Sequence, residues 1–149
     1  GYKHCTAQMI DSYEKNKQSV IVVEPVSYDK IKDYGIIAGN KLTDTEYQIS
    51  DIVEKPKPED APSNLGAIGR YLLTPDIFDI LKHTTPGKKG EIQLTDALRN
   101  LPSSIGLVTA CTRYDIGDKP GWMKSNLELS LQHPEFGPIL KEELTRLLK

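Results

Sequence analysis

The feature that most constrains the fold is an unbroken apolar run near the start of the chain. Val20–Val23 are four consecutive β-branched residues inside the segment Ser19–Val26, and Pro25 is expected to mark the end of the run. A continuous β-branched run is typical of a strand buried on both faces of a parallel or mixed sheet. The sequence therefore predicts an α/β domain, with layers of structure on both sides of this strand.

The flanking segments predict the elements that would complete such a domain. A helix is expected over Thr6–Lys15, where Met9, Ile10 and Tyr13 share one face. Further strands are predicted at residues 34–37, 46–55, 67–73 and 105–112, and further helices at 75–82, from Glu91 to 101, at 120–132 and at 138–148.

Two local expectations accompany this assignment. Gly39 and Asn40 are a common turn pair and are predicted to end the short strand at 34–37. The helix at 75–82 is expected to bury Ile77, Phe78 and Leu81.

Composition limits the function classes. The 149 residues, 38% of them hydrophobic, suffice for one compact domain, predicted to span 1–149. Lysine and arginine number 19 against 21 acidic residues, with no basic stripe, so a nucleic-acid partner is disfavoured. The longest apolar run, Val20–Val23, is too short to span a membrane. Cys5 and Cys111 form no CxxC pair, which favours reduced thiols in a cytoplasmic protein.

Several short motifs could belong to a site, but each has an ordinary structural interpretation. Glu54-Lys55 before Pro56 is most often the solvated end of a strand, where neighbouring side chains point to opposite faces. Tyr34-Gly35 alone is typical of a turn with a packed aromatic ring. Asp115 alone is a loop aspartate that makes a local hydrogen bond. Only the ordered set of motifs favours a functional site.

Seven segments carry a family resemblance, and they are Glu24–Val26, Tyr34–Ile37, Val53–Pro56, Ala61–Leu65, Gly69–Tyr71, Gly90–Ala97 and Tyr114–Gly117. In order and spacing they resemble bacterial UTP–glucose-1-phosphate uridylyltransferases. Ala61–Leu65 and Glu91–Ala97 favour this family over its thymidylyl- and adenylyl-transferring relatives. The chain lacks the glycine-rich Gly-x-Gly-Thr-Arg signature and the first metal-binding aspartate of that family.

The resemblance implies the C-terminal part of a nucleotide-sugar transferase fold, Rossmann-like with a mixed sheet, without the N-terminal nucleotide-binding subdomain. It implies a reaction of UTP with glucose 1-phosphate that yields UDP-glucose and pyrophosphate, with Mg²⁺ as cofactor. Because Gly1–Lys3 contains no initiator methionine, we expect a truncated chain that is inactive alone. A stand-alone, non-catalytic sugar-phosphate-binding or interaction module remains the alternative.

The resemblance also implies roles for individual residues. Lys55 would be the catalytic cation that pairs with the sugar phosphate, and Glu54 would accept hydrogen bonds from two sugar hydroxyls. Gly35 would let the main chain approach the sugar ring, with Tyr34 as a wall. Ala67 would line the sugar side, where larger apolar residues are usual in the family.

Asp115 resembles the second metal carboxylate of the family and is the candidate Mg²⁺ ligand. We also expect a homo-oligomer, because the absent subdomain would leave strand edges or apolar faces uncovered. The last predicted helix offers a contact surface through an apolar stripe, which consists of Leu140, Leu144, Leu147 and Leu148.

Overall fold

A computed structural model of the chain describes residues 3–87 and 90–149. The chain divides into two compact units, with the boundary between Cys111 and Thr112. The single domain expected over 1–149 stays a prediction. Among the described helices, none combines the length and apolar character needed to cross a membrane.

The first unit is built around five strands and three α-helices. In chain order these are α1 (Cys5–Asn16), β1 (Ser19–Pro25), β2 (Gly35–Lys41), β3 (Glu46–Glu54), β4 (Leu65–Leu72), α2 (Asp76–His83), α3 (Leu94–Arg99) and β5 (Ser104–Val108). Short 3-10 helices at Tyr28–Asp33 and Pro58–Asp60 occupy the connections before β2 and β4.

The strands pair in the order β1-β4-β2-β3-β5 and close into a barrel. β1 and β5 are parallel, with Ser19 opposite Ser104, and the other neighbouring strands are antiparallel. The α/β fold with a mixed sheet is therefore confirmed. Each of these five strands has a neighbour on both sides, and in the described strands β2 and β4 pair at Ile36 and Gly66 alone. The uncovered strand edges or apolar faces expected from the sequence stay a prediction.

The apolar run in β1 is buried because its two faces contact different clusters. Ile21 and Val23 face a cluster that also includes Ile37, Ile52, Leu65, Ile77, Ala97 and Leu98. Val20 and Val22 face a smaller cluster with Met9 of α1 and Leu107 of β5. Alternate side chains point to opposite faces of a strand, so both faces must be apolar here. The prediction of a strand buried on both faces is confirmed.

A buried polar contact joins α1 to the start of β3. The carboxylate of Glu46 is only 5% exposed and accepts hydrogen bonds from Ser12 Oγ at 2.7 Å and Asn16 Nδ2 at 3.0 Å. Lys15 Nζ completes the group at 2.5 Å. These donors let a charged group lie against the barrel without an unsatisfied oxygen.

The predicted turn at Gly39-Asn40 is wrong, because β2 continues through both residues to Lys41. The pairing of β2 with β3 has a bulge between Ala38 and Gly39. A Cβ at Gly39 would overlap the backbone carbonyl of Gln48, so glycine here allows a close approach of two strands.

Two details of the helices also differ from expectation. Ile77 is buried as predicted, but Phe78 is 67% exposed. Its burial was inferred from its apolar character, which does not fix the face of a two-turn helix. The next helix begins at Leu94, not at Glu91, because Gln93 has an extended backbone and the two residues before it are not helical.

The second unit contains two helices, α4 (Lys119–Gln132) and α5 (Phe136–Leu147), which pack on each other. Both were predicted from the sequence. Asp118 caps α4 by accepting a hydrogen bond from the Gly121 amide at 2.6 Å. Gly137 permits the tight connection, because a Cβ there would overlap the carbonyl oxygen of Leu131.

Candidate functional site

The β2–β3 hairpin brings four of the predicted site residues together at one end of the barrel. Gly35 at the start of β2 is the cross-strand partner of Glu54 at the end of β3. The Lys55 amide donates a hydrogen bond to the Tyr34 carbonyl at 3.0 Å, which extends the pairing by one step. Residues that are 19 positions apart (Gly35 and Glu54) and 21 positions apart (Tyr34 and Lys55) are thus held side by side by backbone pairing.

The backbone of Lys55 explains how adjacent side chains converge. Lys55 has φ of 45°, in the left-handed region that few non-glycine residues adopt. This turn interrupts the alternation of the strand, and Lys55 Nζ lies 3.5 Å from Glu54 Oε1. The ordinary expectation that the two side chains point to opposite faces is therefore wrong. A sparsely populated backbone conformation of this kind is common at functional sites.

Gly35 leaves room for the Glu54 carboxylate. A Cβ at Gly35 would lie 3.2 Å from Glu54 Oε2 and 3.6 Å from Thr95 Cγ2. A side chain larger than a methyl group would compete for the space of the carboxylate. The structure thus gives the glycine a local packing reason, in addition to the sugar approach that the resemblance implies.

Tyr34 lies against Gly66, the first of two small residues near the start of β4. A Cβ at Gly66 would lie 3.2 Å from both Cβ and Cγ of Tyr34 and 3.0 Å from Val26 Cγ1. Gly66 was not among the predicted site residues. Its small size, next to Ala67, was a sequence signal that could have indicated the contact with Tyr34. Ala67 follows in β4 opposite Val23 and packs against the larger apolar cluster.

Thr95 is a site residue that the sequence analysis missed. Its hydroxyl donates a hydrogen bond to Glu54 Oε2 at 2.7 Å. Thr95 lies in the first turn of α3, within the segment Glu91–Ala97 that carried part of the family resemblance. That segment was a usable signal, but nothing in its spacing indicated a contact with β3.

The Glu54 charge also acts on Tyr71 of β4. Burial raises the pKa of the Tyr71 phenol above its ordinary value, and the negative charge of Glu54 raises it further. The Glu54 charge therefore acts on the Tyr71 phenol as well as on Lys55.

Asp115 belongs to the second unit, where both of its carboxylate oxygens are engaged. Oδ1 accepts a hydrogen bond from the Gly117 amide at 3.0 Å, and Oδ2 lies 3.1 Å from Arg113 Nη1. In the part of the chain that the structure describes, no three acidic, cysteine or histidine side chains cluster as metal ligands. A role for Asp115 beside Glu54 and Lys55 stays a prediction.

Comparison with known proteins connects this geometry to a family. The profile of the family described as "Nucleotidyl transferase" matches residues 2–128, and the match contains the whole β2–β3 hairpin. The chain belongs to the nucleotidyl transferase family.

Curated relatives within the nucleotidyl transferase family are named as UTP–glucose-1-phosphate uridylyltransferases. The protein from Streptococcus pneumoniae serotype 4 is 45% identical over 148 residues, which cover 97% of this chain and 50% of the relative. The protein from Streptococcus pyogenes is 43% identical over 151 residues, with 99% and 50% coverage. The chain thus spans about half the length of these relatives.

Solved structures of nucleotidyl transferases agree with the fold. A UDP-glucose pyrophosphorylase in complex with UDP-glucose matches with a TM-score of 0.80 at 43% identity, over 85% of this chain and 49% of that one. UDP-glucose pyrophosphorylase from Acinetobacter baumannii matches with a TM-score of 0.82 at 32% identity, over 95% and 50%. Both matches extend over most of this chain.

Proposed function

We propose that this chain is the sugar-phosphate-binding portion of a uridylyltransferase that makes UDP-glucose and pyrophosphate from UTP and glucose 1-phosphate. The observation that carries the proposal is the convergence of Glu54 and Lys55 beside Gly35. It supplies an anion acceptor of hydroxyl hydrogen bonds and a cation for phosphate within one small area. The named activities of the relatives support the same assignment.

The proposed reaction divides the work between the two charged groups. A phosphate oxygen of glucose 1-phosphate attacks the α-phosphorus of UTP, the bond to the β-phosphate breaks, and pyrophosphate leaves. Lys55, whose side chain is 59% exposed, pairs with the sugar phosphate and lowers the cost of bringing two anions together. Glu54 accepts hydrogen bonds from sugar hydroxyls and orients the ring, with Tyr34 and Ala67 as its proposed neighbours.

Mg²⁺ fits this proposal with Asp115 as one ligand. Magnesium keeps several waters and commonly uses one or two carboxylates together with substrate phosphates, so a single aspartate suits it better than a full protein cage. When bound, the ion neutralises phosphate oxygens. The contact with Arg113 holds the Asp115 carboxylate in its loop.

The location and turnover of the chain are part of the same proposal. Cys5 and Cys111 are free thiols, which supports a reducing compartment such as the cytoplasm. We propose that a chain spanning half of the relatives binds the sugar phosphate without completing turnover. UTP and glucose 1-phosphate are the proposed small-molecule partners.

Calorimetric titration of the chain with glucose 1-phosphate, and then with UDP-glucose and Mg²⁺, tests the proposal. We expect saturable binding that Lys55→Ala weakens about tenfold or more, because a hydrogen bond to a charged group contributes about 1.5–3 kcal/mol. Lys57→Ala is the matched control, since Lys57 is an exposed lysine two residues further on. Absence of binding by the unchanged chain, or equal losses in both variants, contradicts the proposal.

A further inference from the structure

One face of α3 contacts the C-terminal part of β3 through polar side chains. Two side chains of α3, one turn apart, bond to two carboxylates of β3. Thr95 Oγ1 donates to Glu54 Oε2 at 2.7 Å, and Arg99 forms a paired contact with Asp51, at 2.6 Å from Nε and 2.9 Å from Nη2. Residues four apart lie on the same face of a helix, so one face of α3 fixes its position along the strand.

The two oxygens of Glu54 have different partners. Oε2 holds the short hydrogen bond from Thr95, whereas Oε1 is 3.5 Å from Lys55 Nζ. Ammonium–carboxylate hydrogen bonds are ordinarily about 2.7–2.9 Å long. The Glu54–Lys55 pair is therefore wider than a direct hydrogen bond.

We propose that Thr95 is a positioning residue, whose hydroxyl holds the Glu54 carboxylate away from Lys55 and so keeps the ammonium available for a sugar phosphate. The inference rests on the proposed function for its ligand, but not for its geometry. Without the hydroxyl, the flexible Glu54 side chain would close onto Lys55, and each charge would satisfy the other. A phosphate would then have to break that pair before binding.

The methyl group of Thr95 has a separable role. It lies 3.6 Å from the position of a Cβ on Gly35, so it forms part of the wall around the carboxylate. Thr95→Val keeps this volume and removes only the hydrogen-bond donor. Thr95→Ser keeps the donor and removes the methyl group. The two variants therefore separate orientation of the carboxylate from packing around it.

Crystal structures of the unliganded chain test the positioning role without reference to any substrate. We expect the Glu54–Lys55 separation to contract from 3.5 Å to about 2.8 Å in Thr95→Val, and to stay open in Thr95→Ser. A separation that stays at its original value in Thr95→Val overturns the inference, whatever the chain binds.

Titration with glucose 1-phosphate provides the second readout. We expect Thr95→Val to bind about tenfold more weakly and Thr95→Ser to restore most of the affinity. Thr84→Val is the control, since it removes a threonine hydroxyl that bonds the Ile80 carbonyl at 2.8 Å, in another part of the unit.

Titration with galactose 1-phosphate, which differs from glucose 1-phosphate in the configuration of one ring hydroxyl, tests whether Glu54 discriminates between the two sugars. We expect the affinities for glucose 1-phosphate and galactose 1-phosphate to become more similar in Thr95→Val, because a displaced Glu54 carboxylate discriminates less between the positions of the sugar hydroxyls. Equal losses in Thr95→Val and Thr95→Ser, or an unchanged ratio, overturn the positioning role. If the unchanged chain binds neither sugar phosphate, the proposed function fails while the crystallographic comparison still decides the role of Thr95.

Discussion

The barrel and the helical pair of the second unit differ in how they use apolar side chains. In the barrel, β1 alone buries four β-branched residues, and two apolar clusters cover its faces. In Thr112–Lys149, the only buried residues are Ser125 and Gly137, and large apolar side chains such as Trp122, Ile139 and Leu147 are more than half exposed. One region contains its own core, whereas the other contains two helices with exposed apolar side chains and no apolar core of their own. Stability should therefore reside in the barrel, and association in the helices.

The largest expected effect tests where the stability resides. Ile21→Ala removes a fully buried side chain from the larger cluster and should lower the free energy of unfolding by about 3 kcal/mol. Leu147→Ala, at a side chain that is 63% exposed, should change it by less than about 0.5 kcal/mol. Urea unfolding followed by circular dichroism measures both. Similar losses in the two variants would remove the contrast between the regions.

A smaller effect concerns the buried contact that holds α1 on the barrel. Burial acts to raise the pKa of Glu46, but hydrogen bonds from Lys15 and Ser12 outweigh it, and the pKa lies below the ordinary glutamate value. The unfolded chain then takes up the proton more readily than the folded one. This stabilisation is complete above the unfolded-state pKa of about 4.3 and is lost as pH falls through the lower folded-state value.

Glu46→Gln tests that contact. We expect a loss of about 2 kcal/mol in unfolding free energy at neutral pH, because the Lys15 ammonium loses its charged partner and one acceptor oxygen is replaced by an amide donor. We also expect a weaker dependence of stability on acid in the variant. Unfolding curves at several pH values from neutrality down to about pH 2 measure both, with Glu142→Gln at an exposed position of α5 as the control. Identical acid dependence in Glu46→Gln and the unchanged chain would rule out the assignment.

Self-association should depend on the second unit. Ile139→Asp places a charge on an exposed apolar side chain of α5 and should weaken association about tenfold, equivalent to about 1.4 kcal/mol. Phe78→Asp, at an equally exposed apolar side chain of the first unit, should have little effect. Analytical ultracentrifugation over a range of concentrations measures both. A chain that stays monomeric at high concentration would end the prediction of a homo-oligomer.

The smallest expected effect concerns the influence of the Glu54 charge on the pKa of Tyr71. Glu54→Gln removes a negative charge that raises the pKa of Tyr71, so the pKa of that phenol should move down toward its ordinary value. Burial, the larger cause, remains in the variant. Carbon-13 NMR of labelled tyrosine during a pH titration follows the change. A Tyr71 titration that is the same in both proteins would show that the Glu54 charge does not reach the phenol.

The strands of the barrel could largely be predicted from the sequence, because the pattern of apolar residues indicates which side chains are buried. The run Val20–Val23 predicted its own burial, and Pro25 ended the strand where expected. The error at Gly39 arose because glycine serves both turns and close strand approach, and sequence does not distinguish them. The predicted burial of Phe78 was wrong because a short helix has too few positions for the sequence pattern to determine which face is buried.

The site was predictable as a set of residues but not as a geometry. Resemblance identified Glu54 and Lys55, yet the convergence of their side chains depends on the left-handed backbone of Lys55. The sequence does not indicate a left-handed backbone at position 55, because lysine rarely adopts that conformation. Thr95 was missed for a related reason, because its contact with Glu54 requires α3 to dock on β3 at one register. Tertiary packing sets that register.

The parallel pairing of β1 with β5 has a consequence for how the protein is made. The strand at the centre of the core precedes its parallel partner at Ser104–Val108 by most of the length of the first unit. Contacts between distant parts of a chain form slowly because a long loop must close first. During synthesis β1 therefore lacks one of its two neighbouring strands until β5 follows it, and an apolar strand in that state is prone to aggregate unless a chaperone protects it.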